Sequence, residues 1–249
     1  MPQETQLPQP EISVVIPCKN ESDNLAILLN EVDEALAGRA FEVIVVNDGS
    51  SDNTGEMLNA RIKAGASHLR HIQHDRSAGQ SAAVRSGVFA AHGAIIATID
   101  GDGQNNPIYI PMLVDALKNG GVNAGIAAGQ RLKRTDTKIK QYSSRFANWL
   151  RQKMLADGTR DSGCGLKAVH APLFRALPFF DGWHRYLPAL VMREGYAIVH
   201  IDVTDRSRRF GQSNYGILDR GARGALDLIG VWWLRKRRKV VPVATEATP

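Results

Sequence analysis

The sequence lacks an apolar run long enough to cross a lipid bilayer, which takes about 20 consecutive apolar residues. The longest late candidate, residues 225–234, is too short and contains Asp227. Residues 1–10 are polar, carry three prolines and lack the basic-then-apolar pattern of a secretion signal. We therefore expect no membrane-spanning helix, a disordered lead-in over residues 1–10 and a disordered tail over residues 240–249.

Cysteine is scarce, since the 249 residues include only Cys18 and Cys164. Two cysteines cannot form a disulfide framework, and neither lies in a zinc-site spacing, so a reducing compartment is the default expectation. Glycine-rich phosphate loops are missing as well. The first predicted strand runs into Pro17-Cys-Lys-Asn-Glu21 without a glycine, and no Gly-x-x-x-x-Gly-Lys occurs. A dinucleotide-binding turn and a P-loop are thereby excluded.

The charge is unevenly distributed along the chain. The net charge is +6, and basic residues crowd residues 131–153, 206–209 and 235–239, all in the second half. Such an excess permits nucleic acid, an anionic membrane or phosphorylated substrates as partners.

Short β-branched runs alternate with helical periodicity over the first 130 residues. The predicted strands cover residues 12–17, 41–46, 69–73, 94–99 and 125–129, and the predicted helices cover residues 22–36, 54–64, 81–91 and 106–119. The strands are too continuously apolar to be half exposed. The pattern predicts an α/β fold with a mostly parallel sheet flanked by helices on both faces.

Polar side chains follow three of these strands, at the point where each strand ends. They are Asn20 and Glu21 after the first, Asn47 and Asp48 after the second, and Asp100 and Asp102 after the fourth. The carboxyl ends of parallel strands meet at one edge of a sheet, where α/β proteins bind ligands. Each acidic turn alone is more often a turn or a helix cap, whereas three at neighbouring strand ends favour a site. The carboxylates of Asp100 and Asp102 are oxygen ligands that suit Mg²⁺ or Mn²⁺.

Three motifs carry a family resemblance: Val-Val-Ile-Pro-Cys-Lys-Asn-Glu21, Val-Val-Asn-Asp-Gly-Ser-Ser-Asp52 and Asp-Gly-Asp-Gly-Gln104. Together they resemble the family 2 glycosyltransferases, which have the Rossmann-like GT-A fold. The resemblance implies a nucleotide-sugar donor, with Pro17, Glu21 and Asp48 along its base and ribose. Asn20 and Asn47 join them as nucleotide-binding candidates, although many members have a second Asp at the position of Asn47.

The third motif is similar to the metal motif of that family. The resemblance implies that Asp100 and Asp102 face the donor diphosphate and a Mg²⁺ or Mn²⁺ ion, with Asp102 as a catalytic residue. Gln104 would be a neighbouring metal ligand, as in the members that use polyprenyl phosphates.

Two segments of the second half resemble the acceptor side of those lipid-phosphate members. In Arg160-Asp-Ser-Gly-Cys-Gly-Leu-Lys167, the candidates are Asp161 as a base and Lys167 as a phosphate ligand. The loop 206–216 resembles one that helps to hold phosphates, although Asn214 replaces the family lysine. Its candidates are Arg206 and Arg209 for catalysis and Arg208 and Ser213 for the acceptor phosphate. Arg131 is a further acceptor-phosphate candidate.

Two basic amphipathic segments carry tryptophan, over residues 138–155 and 217–239. Such helices are typical of a membrane interface, and the basic run 235–239 suits anionic lipid. Ordinary helices packed on the sheet are the alternative. We expect a glycosyltransferase domain over residues 11–216, with the first helix inserted in it, followed by an interface helix.

The acceptor decides the mechanism. A sugar hydroxyl requires a general base, whereas a lipid monophosphate is already an anion and requires cations that position it. We therefore favour metal-dependent, inverting transfer from GDP-mannose or a UDP-sugar to undecaprenyl or dolichyl phosphate. The site would lie on the cytoplasmic face of the plasma membrane, with a multi-span membrane protein as a possible partner.

Three alternatives remain. A sugar-hydroxyl acceptor would make Asp161 the base. A nucleic-acid-binding protein would use the basic second half, although acidic strand ends repel a phosphate backbone, so no nucleic-acid partner is expected. A non-catalytic membrane-surface scaffold would bind liposomes but no nucleotide.

Overall fold

The structure, a computed structural model, describes residues 9–132, 150–207, 210, 217–240, 242 and 244–245, with the side chains of 217–223 left out. Residues 1–8, most of the segment 138–155 and most of the tail lie outside this description. The same is true of Arg208, Arg209, Ser213 and Asn214. The domain boundaries stay predictions.

The elements alternate along the chain as the sequence predicts. The strands are β1 (Ile12–Cys18), β2 (Phe41–Asn47), β3 (Leu69–Gln73), β4 (Ile95–Thr98), β5 (Ala124–Arg131), β6 (Lys167–His170) and β7 (Ala197–Val203). The helices are α1 (Ser22–Ala35), α2 (Thr54–Lys63), α3 (Gln80–Ala90), α4 (Tyr109–Asn119), α5 (150–155), α6 (Ala171–Ala176), α7 (Leu187–Arg193) and α8 (Ile217–Lys236). A 3₁₀ turn at Trp183–Arg185 precedes α7.

The strands form a seven-stranded sheet in the order β3-β2-β1-β4-β6-β5-β7. All pairs are parallel except those of β6, which runs antiparallel to both β4 and β5. The predicted, mostly parallel α/β sheet is therefore confirmed, together with its first five strands. Strands β6 and β7 were not predicted, because β6 has four residues and β7 is largely half-exposed.

Apolar side chains of successive strand residues point to opposite faces of the sheet and build two cores. One core joins Val14 and Val43 to α1 and α4, and the other joins Val15 and Ile44 to α3, α6 and α7. Helix α3 lies close to β1, because a Cβ at Gly87 would fall 2.4 Å from Cγ1 of Val15. The small side chains of α3 thus permit the close packing that a buried strand requires.

Helix α5 is the described end of the predicted interface helix. Its Leu155 is buried, and Leu150 and Met154 pack against the second core. Arg151 is also buried and does not lie on an exposed basic face. Its guanidinium donates to both carboxylate oxygens of Asp157. At its described end, this helix therefore packs on the protein core like an ordinary helix. In the described part of the chain, no helix is both long and apolar enough to span a membrane.

A buried carboxylate ties β1, β2 and β3 together far from the carboxyl ends of the strands. Glu42 accepts hydrogen bonds from Ser13 Oγ (2.6 Å), Arg70 Nη1 (2.7 Å) and the backbone N–H of His92 (2.6 Å). Burial raises the pKa of Glu42, but these hydrogen bonds outweigh it and lower the pKa below its usual 4.5. The ionised form is therefore the one that the fold stabilises.

Replacing Glu42 by Gln is expected to lower the free energy of unfolding at pH 7 by about 1–3 kcal/mol, because Arg70 loses its buried counter-charge. Since the folded pKa is depressed, this contribution is present above pH 4.5 and disappears as the pH falls through the folded pKa. Urea unfolding at pH 7 and at a series of progressively more acidic pH values measures the difference. The exposed Glu34→Gln is the control, and a gap that persists in acid would contradict this account.

Candidate active site

The three polar strand ends lie together at one edge of the sheet. Strand β1 pairs with β2 on one side and with β4 on the other, so that Cys18 lies opposite Asn47 and Val15 opposite Thr98. The loop after β4 lies against the end of β1, because a Cβ at Gly101 would fall 2.9 Å from the carbonyl oxygen of Pro17. The predicted gathering of these ends is confirmed by the strand order.

The turn after β1 is held to the turn after β2. Asn20 adopts a left-handed backbone with φ of 56°. Its N–H donates to Ser50 Oγ at 2.9 Å, and its side-chain oxygen accepts from the N–H of Ser51 at 2.8 Å. Glu21 accepts a hydrogen bond from Asn24 Nδ2 at 2.6 Å. Both turns therefore form one rigid rim of the site.

Asp48 organises the loop that leads into α3. One carboxylate oxygen accepts from His74 Nδ1 (2.7 Å) and Ala78 N (2.9 Å), and the other accepts from Ser77 Oγ and Gly79 N (both 2.8 Å). Burial raises the pKa of Asp48, and these four donors lower it to below its usual range.

The amide of Asn47 is used in a similar way, since its oxygen accepts from the N–H of Ser50 at 3.0 Å. Asn47 and Asp48 are both buried. They thus shape the rim formed by the ends of β1 and β2, and direct contact with a base or ribose stays a prediction.

Asp100 is enclosed by groups from α3 and from the segment before β6. Gln80 Nε2 donates to its carboxylate at 2.7 Å, and a Cβ at Gly165 would fall 2.5 Å from that carboxylate. Burial and the neighbouring Asp102 raise the pKa of Asp100 to about 6, although Lys167 and Arg131 oppose the shift. A bound cation would therefore relieve the electrostatic cost of this carboxylate pair.

Asp102 is half-buried and accepts from the backbone N–H of Gln104 at 3.1 Å. Within the described ranges no group of three or more His, Cys, Asp or Glu side chains is placed to hold a metal. Two carboxylates with an adjacent amide, from Asp100, Asp102 and Gln104, still fit Mg²⁺ or Mn²⁺. These ions take one or two carboxylates and complete their shell with water and substrate phosphate.

A cavity of about 330 Å³ opens beside Asp100. Its floor is formed by the ends of β1, β4 and β5 and by the start of β6, and one wall is the turn before α7. The lining residues are Pro17, Gln80, Val84, Thr98, Asp100, Arg131, Gly163, Cys164, Gly165, Lys167, His184, Arg185 and Leu187. Of the predicted residues, Pro17, Asp100, Arg131 and Lys167 therefore share one cavity.

Arg131 and Asp161 form a tight ion pair within this site. Arg131 donates through Nε and Nη2 to the two carboxylate oxygens of Asp161, and through Nη1 to Asp205 at 3.0 Å. Although burial alone lowers the pKa of Arg131, the two carboxylates raise it above its usual value. Asp161 is buried in this bidentate pair, which disfavours its use as a proton acceptor.

Two other predicted cations are also engaged. Lys167 is buried and donates to the carbonyl of Cys164, and burial lowers the pKa of its ammonium group. Arg206 makes a bidentate pair with Glu31 on α1, with both distances at 2.7 Å. Its side chain does not line the cavity, and its catalytic role stays a prediction.

A family model described as "Glycosyl transferase family 2" matches residues 13–177, which run from β1, without its first residue, through β6. The chain belongs to this family. The predicted resemblance is therefore confirmed.

Two curated relatives, a transferase and a synthase, carry a polyprenyl phosphate in their names. The chain is 33% identical over 213 residues to the undecaprenyl-phosphate 4-deoxy-4-formamido-L-arabinose transferase of Klebsiella pneumoniae (strain 342), covering 85% of this chain and 64% of the relative. It is 34% identical over 233 residues to the dodecaprenyl-phosphate galacturonate synthase of Rhizobium johnstonii, covering 91% and 68%. The chain thus spans about two thirds of the length of these relatives.

The fold is also that of solved glycosyltransferases. The glucosyl-3-phosphoglycerate synthase of Mycobacterium tuberculosis superposes with a TM-score of 0.66 at 21% identity, covering 91% of this chain and 80% of the other. That structure contains Mn²⁺, UDP and glucosyl-3-phosphoglycerate. At this identity the likeness confirms the GT-A fold.

In this family 2 chain, the structure adds cavity residues that the sequence had not singled out. Gln80 bonds Asp100, and Ser81 Oγ lies 2.7 Å from His184 Nδ1. Burial lowers the pKa of His184 to about 3, so that it is neutral at pH 7. Arg185 is exposed beside it. In the sequence, His184 and Arg185 form a basic pair among the aromatic residues of the stretch 180–188, just before a helix.

Proposed function

We propose that this chain transfers a sugar from a nucleotide-sugar donor to a polyprenyl phosphate, with inversion at the anomeric carbon. One observation carries the proposal. The half-buried carboxylate of Asp100, next to Asp102, shares a cavity with Arg131, Lys167 and Arg185. A site for the departing diphosphate thus adjoins a wall of cations that suits a second phosphate.

The donor diphosphate belongs at the strand ends, on the side of Asp100, Asp102 and Gln104. These residues would hold Mg²⁺ or Mn²⁺, which neutralises charge on the departing diphosphate. The Mn²⁺ and UDP of the Mycobacterium tuberculosis structure support this donor side. The base and the sugar stay open between GDP-mannose and UDP-sugars, since Asn47 is engaged by its own turn and Asp48 by the loop that leads into α3.

The choice of acceptor rests on the cations of the cavity and on the two relatives, whose names both contain a polyprenyl phosphate. An acceptor phosphate oxygen forms a bond to the anomeric carbon while the bond from that carbon to the diphosphate oxygen breaks. The nucleoside diphosphate leaves with the bonding electron pair. No proton is transferred, because the acceptor is already an anion at neutral pH.

A transfer assay tests this proposal. The protein is incubated with Mg²⁺ or Mn²⁺, undecaprenyl phosphate and a panel of radiolabelled GDP-mannose and UDP-sugars, including those with the two sugars in the relatives' names. We expect labelled lipid from one donor, and none when undecaprenol replaces its phosphate. Failure of every donor to label the lipid would overturn the proposal.

Asp161 separates phosphate acceptors from hydroxyl acceptors. Replacing Asp161 by Asn keeps its shape beside Arg131, and we expect the variant to retain at least about one tenth of the transfer rate. Loss of a general base would cost about 10²- to 10⁴-fold. Initial rates at saturating substrates measure this difference. A rate lowered by that factor, with an unchanged unfolding midpoint, would favour a sugar hydroxyl as the acceptor.

We further propose that α8 lies on an anionic membrane surface. Leu226, Ile229 and Trp233 form its outer stripe, at helical positions i, i+3 and i+7, and are 71%, 55% and 54% exposed. Leu228 and Val231 on the inner side are buried. The basic residues 235–239 follow directly and complement anionic lipid. On this proposal the chain is peripheral on the cytoplasmic face, and a membrane partner protein is the competing occupant of the stripe.

A further inference from the structure

The three cations of the cavity differ in what else they bind. Arg131 is paired with Asp161 and Asp205, and Lys167 is buried against a backbone carbonyl. Arg185 is exposed, and within the part of the chain that the structure describes its guanidinium forms no hydrogen bond and no ion pair. Its five N–H donors are therefore available to a ligand in the cavity.

The backbone that carries Arg185 is fixed from both sides. Gly182, with φ of 90°, donates its N–H to Ser81 Oγ at 2.9 Å. Trp183 is buried and donates its indole N–H to the carbonyl of Ser81 at 3.1 Å. Tyr186, on the other side of Arg185, is buried as well. A rigid turn thus presents one open cationic side chain at the cavity wall.

The same turn contacts α8. The hydroxyl of Tyr186 donates to the carbonyl of Gly224 at 3.1 Å, and the carboxylate of Asp227 lies 2.8 Å from the position of a Cβ at Gly182. The charge of Asp227 acts on Arg185 over more than the distance of a salt bridge, so that no hydrogen-bond donor of the guanidinium is used. The turn therefore lies between the cavity and the helix that carries the outer stripe.

We propose that Arg185 binds the monophosphate of the lipid acceptor. This inference deepens the proposed function and rests on it. A guanidinium matches a phosphate with two parallel N–H···O bonds. The donor diphosphate lies on the side of Asp100 and Asp102, while a lipid held along α8 brings its phosphate to the side of the turn. Arg185 is thus an acceptor-binding residue that orients the attacking oxygen.

Steady-state kinetics test the assignment. For Arg185→Gln we expect the KM for undecaprenyl phosphate to rise about tenfold or more, with the KM for the sugar donor within about twofold. Arg185→Lys should recover part of the loss, because the charge returns without the fork. Lys63→Gln, an exposed charge on α2, is the control. An unchanged acceptor KM, or a rise in the donor KM alone, would overturn the assignment.

A binding experiment separates this inference from the transfer reaction itself. Titration calorimetry measures the affinity of the wild-type protein and of Arg185→Gln for farnesyl phosphate, farnesol, UDP and GDP. We expect the wild type to bind farnesyl phosphate but not farnesol, and the variant to lose affinity for the phosphate alone.

The outcomes of that titration are distinct. A wild-type protein that fails to bind farnesyl phosphate, or a variant that loses only UDP or GDP, refutes the role of Arg185. If the phosphate binds through Arg185 while no donor yields labelled lipid, the proposed transfer fails and the phosphate site stands.

Discussion

Replacing Asp102 by Asn is expected to lower the rate of sugar transfer by at least about 10³-fold, while the fold is retained. The carboxylate is half-buried beside Asp100 and follows the buried end of β4, where the donor diphosphate would lie. An amide keeps the size of the side chain but removes one of the two charges that would hold the metal. Asp100 would then be the only carboxylate of the pair left to hold the ion, and a single carboxylate compensates less of the ion's charge.

Two measurements check this expectation. The first is the rate at saturating donor and acceptor, and the second is Mn²⁺ binding followed by electron paramagnetic resonance, which does not depend on turnover. Asp115→Asn is the matched control. Asp115 is a half-exposed residue of α4 that pairs with Arg39, and it lies away from the carboxyl ends of the strands. A variant at Asp102 that keeps Mn²⁺ affinity and turnover within about tenfold of the wild type would rule out the metal role.

The sequence predicted the first half of the fold because its strands are buried on both faces. Residues 12–18 and 41–47 are almost entirely buried, and such runs stand out as continuous apolar stretches. Strand β6 gives no such signal, since it has four residues and begins with the buried Lys167. Among the described strands, β7 pairs only with β5, and it leaves much of its surface half-exposed. Its pattern therefore resembles that of a loop.

For the candidate site, sequence motifs predicted which residues belong to it but not which ion pairs they form. Arg131 was predicted as a ligand of the acceptor phosphate, and Arg206 as a catalytic residue in a loop that resembles a phosphate-holding one. Each forms a bidentate ion pair with a distant carboxylate, with Asp161 and Glu31 respectively. Partners separated by 30 and 175 residues meet only through the tertiary fold, which sequence spacing does not reveal.

The same reasoning explains why no role was predicted for Arg185. Its position at the cavity depends on the contacts of Ser81 with the turn before α7. Gly165 is a related case, because its missing side chain leaves the space that the Asp100 carboxylate fills. The importance of both residues depends on the tertiary contacts around them. The site thus combines strand ends, which local sequence predicts, with turns that reach it only through long-range contacts.

The outer stripe of α8 gives the second large expected effect. Ile229→Glu combined with Trp233→Glu is expected to weaken binding to phosphatidylglycerol vesicles by about 30-fold or more, because two exposed apolar side chains lose their burial in lipid. Flotation of the protein with vesicles of defined composition measures the affinity. Neutral phosphatidylcholine vesicles should bind the wild type less tightly, since each basic residue of 235–239 near an anionic surface contributes about 1 kcal/mol.

The control for this variant is Val122→Glu, which places the same charge at a fully exposed apolar residue in the loop before β5. It should bind vesicles as the wild type does. In solution, the double variant should also keep its rate with short, water-soluble isoprenyl phosphates, because the cavity lies on the inner side of α8 and Leu228 and Val231 still pack on the core. Unchanged vesicle binding by the double variant would show that the stripe does not meet lipid. Absence of vesicle binding by the wild type would instead assign the stripe to a membrane partner protein.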